Sequence, residues 1–139
     1  MPGSGTDVRV LQAGEAAGTA LCLTEPLSFW GGLDAETGRI IDRRHPQHGL
    51  CVTGRILVMP GGRGSSSSST VLAEAIRLGT APAAIVLTEP DPIIALGAVI
   101  AAELYGIAMP VLLAGEPPGL RTGEPVRIRR DGSLSRGPV

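Results

Sequence analysis

Residues 55–78 read RILVMPGGRGSSSSSTVLAEAIRL and decide the fold class, because they predict a strand, a loop rich in glycine and serine, and a helix in that order. Residues 55–59 are mostly a continuous apolar run, which is typical of a strand buried on both faces. Residues 71–78 follow a helical pattern, with Ser69 or Thr70 as the expected N-cap. The glycine and serine residues therefore lie between the end of a buried strand and the start of a helix.

The same alternation continues along the chain. Residues 83–87 and 109–113 predict two further strands, and residues 92–105 predict a second helix that begins with Pro92 in its first turn. Strands that alternate with helices in this way are joined by parallel crossover connections. The central part of the sequence therefore predicts a parallel βαβ core.

Further strands are expected on both sides of this core. Residues 8–11 and 20–23 predict two short strands separated by a turn over 14–18. Residues 28–49 predict a long irregular segment, a kind of loop that is often functional in compact domains. Residues 126–134 predict a closing hairpin with an Asp-Gly turn. The fold class expected from these patterns is α/β, with a parallel βαβ core and added antiparallel strands.

Length and composition limit the number of domains and the class of protein. The chain has 139 residues, of which 43% are hydrophobic and 18% charged, and this indicates a single domain over 1–139 with an ordered core over about 5–134. Aromatic residues are only 2% and the net charge is -1, so the stacking platforms and basic surface of nucleic-acid binders are missing. All 12 basic residues are arginine, which excludes P-loop and Schiff-base lysines in this chain.

The location of the protein is inferred from its first residues and its cysteines. The opening MPGSGTDVRV has neither the basic nor the apolar region of a signal peptide, and we expect a cytoplasmic protein with reduced Cys22 and Cys51. The apolar stretch 93–114 has about the length of a bilayer span. Glu103 lies in its middle, and a glycine and a proline interrupt it, so a buried helix followed by a strand is favoured. We expect neither a membrane nor a nucleic acid as partner.

The loop GGRGSSSSST at 61–70 carries the strongest indication of chemistry. By composition alone it is typical of a flexible linker, but a linker separates domains and this run lies inside one. Backbone amides at a helix start favour an anion such as a carboxylate or a phosphate. Gly64 permits close backbone approach, Arg63 offers a bidentate contact, and serine hydroxyls can donate to a substrate or take its proton. A serine acts as a base only where its alkoxide is strongly stabilised.

Histidines and aspartates of the irregular segment indicate two weaker alternatives. His45 and His48 superficially suggest a metal site, but Pro46 argues against a helix there and no set of ligands is completed, so loop hydrogen bonding is favoured and no metal site is predicted. The same histidines, with Asp34 and Asp42, are the candidates for a serine-histidine-aspartate triad, which the sequence alone does not support.

The cysteines and aromatic residues have plain structural interpretations. Cys22 and Cys51 are too few for an iron–sulfur cluster and are expected to be small buried hydrophobic residues, so no cofactor is expected to be bound by this chain. Phe29 and Trp30 are interpreted either as a cap over the core or as part of an interaction surface.

Five segments, taken in order, resemble the small subunit of the aconitase X family. They are SFWGGLD at 28–34, ETGRIID at 36–42, HP at 45–46, GRGSSS at 62–67 and APAAI at 81–85. The resemblance covers roughly residues 5–130. It implies the swivelling β/β/α domain of aconitase and a dehydratase whose iron–sulfur cluster is carried by a large subunit, as a heterodimer or a higher assembly.

The resemblance also implies roles for the serine loop. The family's base is the first serine after Gly-x-Gly, which here is Ser65, and it removes the α-proton of a small carboxylate substrate while the cluster acts on the leaving hydroxyl. Arg63, Gly64, Ser66 and Ser67 are then expected to contact the substrate or to stabilise the Ser65 alkoxide.

Two substrates are known in the family: cis-3-hydroxy-L-proline and mevalonate 5-phosphate. The composition, rich in arginine, alanine, glycine and proline and without lysine, favours a bacterial source with GC-rich DNA and hence hydroxyproline. The alternatives are the small subunit of a mevalonate 5-phosphate dehydratase and, from another class, a non-catalytic module that binds an anion.

Overall fold

The computed structural model describes residues 8–61, 66–114 and 119–137. Its strands form one mixed seven-stranded sheet and one separate two-stranded hairpin. In chain order the elements are β1 (Val8–Gln12), β2 (Ala16–Cys22), α1 (Phe29–Gly32), β3 (Leu33–Asp34), β4 (Arg39–Ile40), β5 (Ile56–Met59), α2 (Ser68–Leu78), β6 (Ala84–Leu87), α3 (Pro92–Tyr105), β7 (Val111–Ala114), β8 (Pro125–Ile128) and β9 (Leu134–Arg136). The order of strands in the large sheet is β1-β7-β6-β5-β2-β8-β9.

The centre of the large sheet is parallel. β5 pairs with β2 on one side and with β6 on the other, and β6 pairs in turn with β7, all in parallel. Helix α2 connects β5 to β6, and α3 connects β6 to β7. The predicted parallel βαβ core is therefore confirmed, and the carboxyl ends of β2, β5 and β6 meet at one edge of the sheet.

Antiparallel strands extend this core on both sides. β1 pairs with β7 at one end, while β8 pairs with β2 and β9 with β8 at the other. The closing hairpin is thereby confirmed. In its turn, the Asp131 carboxylate accepts a hydrogen bond from the amide of Ser133. Gly132 of this turn packs so closely that an added Cβ would lie 2.7 Å from a methyl group of Val10. The hairpin therefore folds across one face of the sheet.

Alternating side chains of the buried strands build two hydrophobic clusters, one on each face. Leu57 and Met59 of β5 face the helices, where Leu72 of α2 and Ile94 of α3 complete the larger cluster. The side chains of Ile56 and Val58, on the opposite face, meet the closing hairpin through residues including Val126 and Ile128. The helices therefore cover one face and the hairpin covers the other.

Helices α2 and α3 pack closely at Gly97, which contributes no side chain to the contact. Gly97 of α3 lies opposite the first turn of α2, and a Cβ there would be 2.8 Å from the carbonyl oxygen of Ser69 and 3.1 Å from the Cβ of Leu72. Gly79 and Gly106 end α2 and α3 in the left-handed conformation that glycine adopts most readily. The glycine at 97 therefore permits the close packing of α2 on α3.

Strand β2 begins earlier than the sequence indicates. The predicted strand starts at Ala20 and the predicted turn includes Gly18, whereas β2 starts at Ala16 and pairs through Gly18 with Val126. A Cβ on Gly18 would lie 2.4 Å from the carbonyl oxygen of Gly54, so glycine is required there by a close approach of two backbones. The turn prediction is wrong because this glycine serves packing inside a strand.

Two further boundaries differ from the predictions. The segment 28–49 is not wholly irregular, since it contains α1 and the β3–β4 hairpin, in which Leu33 pairs with Ile40. Helix α2 begins at Ser68 with Ser67 in the N-cap position, so the predicted caps Ser69 and Thr70 lie inside the helix. Within the described ranges, no helix is both long enough and apolar enough to cross a membrane.

Candidate functional site

The serine loop connects the carboxyl end of β5 to the start of α2, as the sequence predicts. Met59 ends the strand, and Ser68 is the first residue of the helix. Of the residues predicted to act, Arg63, Gly64 and Ser65 lie outside the described residues. The described flanks of the loop lie where the parallel strand β5 ends and where the positive end of the α2 dipole lies.

The last serines of the run are held by their own backbone. The Ser69 hydroxyl donates to the carbonyl oxygen of Ser66 at 2.8 Å, and the Thr70 hydroxyl donates to the carbonyl oxygen of Ser67 at the same distance. The amides of Ser69 and Thr70 donate to the same two carbonyls. Ser66 is exposed and Ser67 is half-buried, so the side chains of both have access to solvent.

A backbone contact ties α1 to the start of α2. The amide of Trp30 donates to the Ser68 hydroxyl at 3.0 Å, while the Ser28 hydroxyl donates to the Trp30 carbonyl at 2.9 Å. The Phe29 side chain is fully buried in the larger cluster, but Trp30 is 60% exposed. The expected aromatic cap over the core is therefore confirmed for Phe29 and wrong for Trp30.

A small cleft opens at the carboxyl edge, next to the beginning of the serine loop. Its volume is about 250 Å³. The residues that line it come from the ends of three parallel strands and from the segment before β8: Cys22, Leu23, Val58, Met59, Pro60, Thr88, Gly119 and Leu120. Sequence reasoning missed this cleft, because the residues that form it are distant in the chain and individually ordinary.

Cys22 forms one wall of this cleft. Its thiol donates to the carbonyl oxygen of Leu120 at 3.3 Å, and its amide donates to the Thr122 hydroxyl at 3.0 Å. Burial raises the pKa of the Cys22 thiol above its ordinary value, although an interaction of the thiol itself with the Thr122 hydroxyl acts in the opposite direction.

His45 stabilises the segment that follows β2 through hydrogen bonds to backbone groups. The imidazole is 5% exposed and its Nδ1 accepts from the Gln47 amide at 3.0 Å, so Nε2 carries the proton and donates to the carbonyl of Glu25 at 3.2 Å. The Gln47 side chain accepts from the Thr24 amide and donates to the carbonyl of Cys22. The predicted loop hydrogen bonding of His45 is confirmed, and Gln47 joins it as a residue that sequence reasoning missed.

Among the described residues, the aspartates and His45 named for the weaker alternatives make local contacts with backbone groups. The Asp34 carboxylate accepts from the Glu36 amide, and the Asp42 carboxylate accepts from the Arg44 amide, so each closes its own local turn. Both nitrogens of His45 are occupied by backbone groups. In the described part of the chain, no three histidine, cysteine or acidic side chains come together as metal ligands.

The two cysteines lie at opposite edges of the sheet. Cys51 precedes β5, and its thiol is 3.3 Å from the Thr53 hydroxyl, which in turn donates to the carbonyl of Thr80. Both cysteines are free and half-buried, so the expectation that they are buried hydrophobic residues is wrong. Their separation also means that they do not form a joint ligand pair for a cluster.

Comparison with known proteins identifies relatives of the chain. A family model described as the aconitase X swivel domain matches residues 6–135. The chain is 52% identical over 108 residues to cis-3-hydroxy-L-proline dehydratase from Pseudomonas aeruginosa, which covers 78% of this chain and 19% of that protein. It is 48% identical over 95 residues to the phosphomevalonate dehydratase small subunit from Methanothermobacter thermautotrophicus, covering 68% and 72% of the two chains. The chain thus spans about a fifth of the Pseudomonas protein and most of the archaeal one.

Solved structures give the same answer for the fold. The aconitase X from Thermococcus kodakaraensis matches with a TM-score of 0.84 at 34% identity, over 94% of this chain and 96% of that chain. A UPF0107 protein solved by NMR in solution matches with a TM-score of 0.78 at 34% identity, over 93% and 96%. The predicted fold class and the predicted relation to dehydratases are both confirmed. The chain belongs to the aconitase X swivel-domain family.

Proposed function

We propose that the chain is the small subunit of an aconitase X type hydro-lyase, which dehydrates cis-3-hydroxy-L-proline together with a large subunit that carries an iron–sulfur cluster. In this proposal Ser65 is the base. The observation that carries it is the position of the serine run, which joins the carboxyl end of β5 to the amino end of α2. Amides at such a position stabilise an anion.

The state of the neighbouring hydroxyls supports a base early in the run. Ser69 and Thr70 donate their hydroxyl protons to backbone carbonyls of the preceding turn. The Ser68 hydroxyl is buried and accepts from the Trp30 amide. These three side chains belong to the start of the helix, and a substrate would meet the residues before them first.

The proposed step is an elimination in which this chain handles the proton. The Ser65 alkoxide takes the proton from the α-carbon, the electron pair forms the double bond to the β-carbon, and the β-hydroxyl leaves. Arg63 and the amides of Gly64, Ser66 and Ser67 hold the carboxylate and stabilise the charge on the Ser65 oxygen. The cluster supplies Lewis acidity at the leaving hydroxyl.

The cluster is assigned to the partner because the described residues of this chain do not fit it. Cys22 and Cys51 stand at opposite edges of the sheet, and each thiol has a local partner, the Leu120 carbonyl and the Thr53 hydroxyl respectively. Clusters are usually held by three or four thiolates. Relatives named small subunits support the existence of a separate large subunit.

The choice of hydroxyproline rests on the relatives and on the composition of the chain. The Pseudomonas relative is named for this substrate and is 52% identical. Mevalonate 5-phosphate is the second candidate, favoured by the archaeal small subunit at 48% identity. Both substrates carry a carboxylate and a β-hydroxyl, so the same serine chemistry serves either one.

The decisive experiment is anaerobic co-expression with a candidate large subunit, followed by dehydration assays on both substrates. Each subunit alone serves as a control. We expect turnover of cis-3-hydroxy-L-proline by the complex only. In a complex that retains its cluster, Ser65→Ala is expected to abolish turnover, whereas the matched substitution Ser135→Ala in the closing hairpin leaves it intact. Wild-type turnover by the Ser65→Ala complex would refute the assignment of the base.

A non-catalytic module makes a different prediction. It would bind an anionic metabolite without a partner, and calorimetry on the isolated chain would detect that affinity. Inactivity of an intact complex on both substrates, combined with such binding, would favour the module over the dehydratase.

A further inference from the structure

We propose that the outer face of helix α3 is covered by the large subunit and forms part of the interface of the complex. This inference rests on the proposed function and names a surface through which the two subunits meet. The α3 face is defined by its exposed hydrophobic side chains, which are Leu96, Val99, Leu104, Tyr105 and, just after the helix, Ile107.

Helix α3 is apolar all round, although only one side of it is buried. Glu103 is the only charged residue among its 14 residues. On the outer side, Leu96 is 50% exposed and Leu104 is 69% exposed. A helix that is hydrophobic all round is normally buried on all sides, whereas a helix at the surface of a soluble domain normally has a polar outer face. The composition of α3 therefore indicates a neighbour on its outer side.

Helix α2 shows what a solvent-facing helix of this domain has instead. Both helices pack on the same side of the sheet, through the same hydrophobic cluster. The outer side of α2 carries Glu74 and Arg77, which form an exposed ion pair at 2.6 Å. The apolar outer side of α3 is therefore not explained by the layer of the fold in which it lies.

The parts of this sequence outside the described residues lack the side chains to cover α3. They read MPGSGTD at 1–7, GRGS at 62–65, GEPP at 115–118 and PV at 138–139. Apart from prolines, Met1 and Val139 are their only large hydrophobic residues. Five exposed hydrophobic side chains need a larger apolar surface than this for their burial. The neighbour is therefore expected to lie outside these 139 residues.

A groove joins the α3 face to the start of α2 and favours the large subunit as this neighbour. Its volume is about 490 Å³. Thr70 and Val71, in the first turn of α2, are among the residues that line it, and Ile100, Leu104 and Tyr105 form its α3 part. The proposed function brings the large subunit to the start of α2, because its cluster acts on the substrate that the serine run contacts. One continuous surface of that subunit then covers the groove and the α3 face.

A second copy of the chain is a poorer occupant of this surface. A copy seated in the groove would cover Thr70 and Val71, and it would take the place that the proposed function gives to the large subunit. The region matched in the Pseudomonas relative is 19% of that protein, so most of that chain is available as a neighbour for the corresponding domain. Both observations favour the large subunit.

Hydroxyl-radical footprinting of the isolated chain and of the co-expressed complex tests what covers α3. Oxidation of Leu96, Leu104 and Tyr105 is followed by peptide mass mapping, and an added reporter peptide normalises the radical dose. We expect all three residues to react in the isolated chain at every concentration and to lose most of their reactivity in the complex. Equal reactivity in the two samples overturns the proposal.

Two further outcomes of the footprinting identify a different occupant. Protection that grows with the concentration of the isolated chain would identify a second copy. Protection at every concentration of the isolated chain would identify a segment of the chain itself. Either result overturns the proposal.

Charged substitutions test whether the α3 face contributes to assembly. Leu96→Glu and Leu104→Glu place a carboxylate on the face, and we expect each to raise the Kd for the large subunit about ten-fold or more. The thermal unfolding midpoint of the isolated chain is expected to change little, because both side chains are at least half exposed. The matched control is Leu50→Glu, at a leucine that is 43% exposed and lies outside both helices. Wild-type affinity in both α3 variants overturns the proposal, as does equal weakening by the control.

Failure of this inference and failure of the proposed function give different results. A complex that dehydrates hydroxyproline while the α3 face stays as reactive as in the isolated chain keeps its function and loses this interface. A complex that assembles and protects the α3 face, but turns over neither substrate, keeps the interface and loses the proposed function.

Discussion

The Ser68 hydroxyl accepts a hydrogen bond from the backbone amide of Trp30 at 3.0 Å. The first residue of α2 therefore holds the backbone of the only tryptophan in the sequence. The bond is buried at Ser68, whereas the indole of Trp30 is largely exposed. The position of the indole therefore reports on the start of the helix that follows the serine loop. This relationship leads to the first prediction.

Ser68→Ala is expected to lower the free energy of unfolding by about 1 kcal/mol, because the Trp30 amide loses its acceptor in a half-buried setting. The fluorescence of Trp30 is expected to shift as its turn loosens. Thermal unfolding and the emission spectrum measure the two effects. Ser135→Ala is the control, and an unchanged emission spectrum in Ser68→Ala would show that the turn does not depend on this bond.

Asp91 caps α3, since its carboxylate accepts from the amides of Ile93 and Ile94 at 3.1 Å. Asp91→Ala is expected to destabilise the protein by about 1 kcal/mol, as is usual for the loss of an N-cap. Asp91→Asn retains an acceptor and is expected to retain most of the stability. Urea unfolding of the three proteins gives the comparison, and equal midpoints for alanine and asparagine would contradict the capping role.

Gly97→Ala tests the close packing of the two helices. Alanine is more favourable than glycine in a helix by about 1 kcal/mol. Its Cβ would however clash with the carbonyl oxygen of Ser69, which is a backbone atom and cannot move away by a change of rotamer. We expect the clash to prevail, with a net loss of about 1–3 kcal/mol in a urea titration.

Gly106→Ala provides the comparison for Gly97→Ala, because an added Cβ there meets nothing within 4 Å and only the left-handed conformation opposes it. That conformation disfavours alanine by about 1–2 kcal/mol. A stabilised Gly97→Ala would mean that α3 can move away from α2 without penalty.

The two thiols are expected to react over different pH ranges. The thiolate is the reactive form, so a lower pKa moves alkylation to lower pH. The hydrogen bond with Thr53 lowers the pKa of Cys51, while burial raises the pKa of Cys22. Iodoacetamide labelling measured from acid to alkaline pH should therefore modify Cys51 first, and the reverse order would contradict these environments.

Much of the fold was predictable because its signals are local. The apolar runs of β5 and β6, the proline that begins α3 and the Asp-Gly turn of the hairpin each have a physical meaning within a few residues. The serine run between strand and helix follows from the same patterns. The outer face of α3 differs from the expected buried helix, since Leu96 and Leu104 are exposed.

The remaining errors concern contacts between distant residues. Gly18 indicates a turn when read alone, and only the Gly54 carbonyl that packs against it explains a strand. The cleft beside Cys22 is assembled from four separate segments, and the contribution of Leu120 depends on a contact across 98 positions of the chain. Local patterns do not encode such proximity, so this part of the site required the structure.

The contact between Gly97 and Ser69 has a mechanical consequence. Because α3 contributes no side chain at Gly97, the backbone of Ser69 and the side chain of Leu72 pack directly against the α3 backbone there, and a change of rotamer in α3 cannot relieve this contact. Both helices are packed on the parallel strands through the same hydrophobic cluster. Displacing the first turn of α2 relative to α3 would therefore disturb the packing of both helices on the parallel strands.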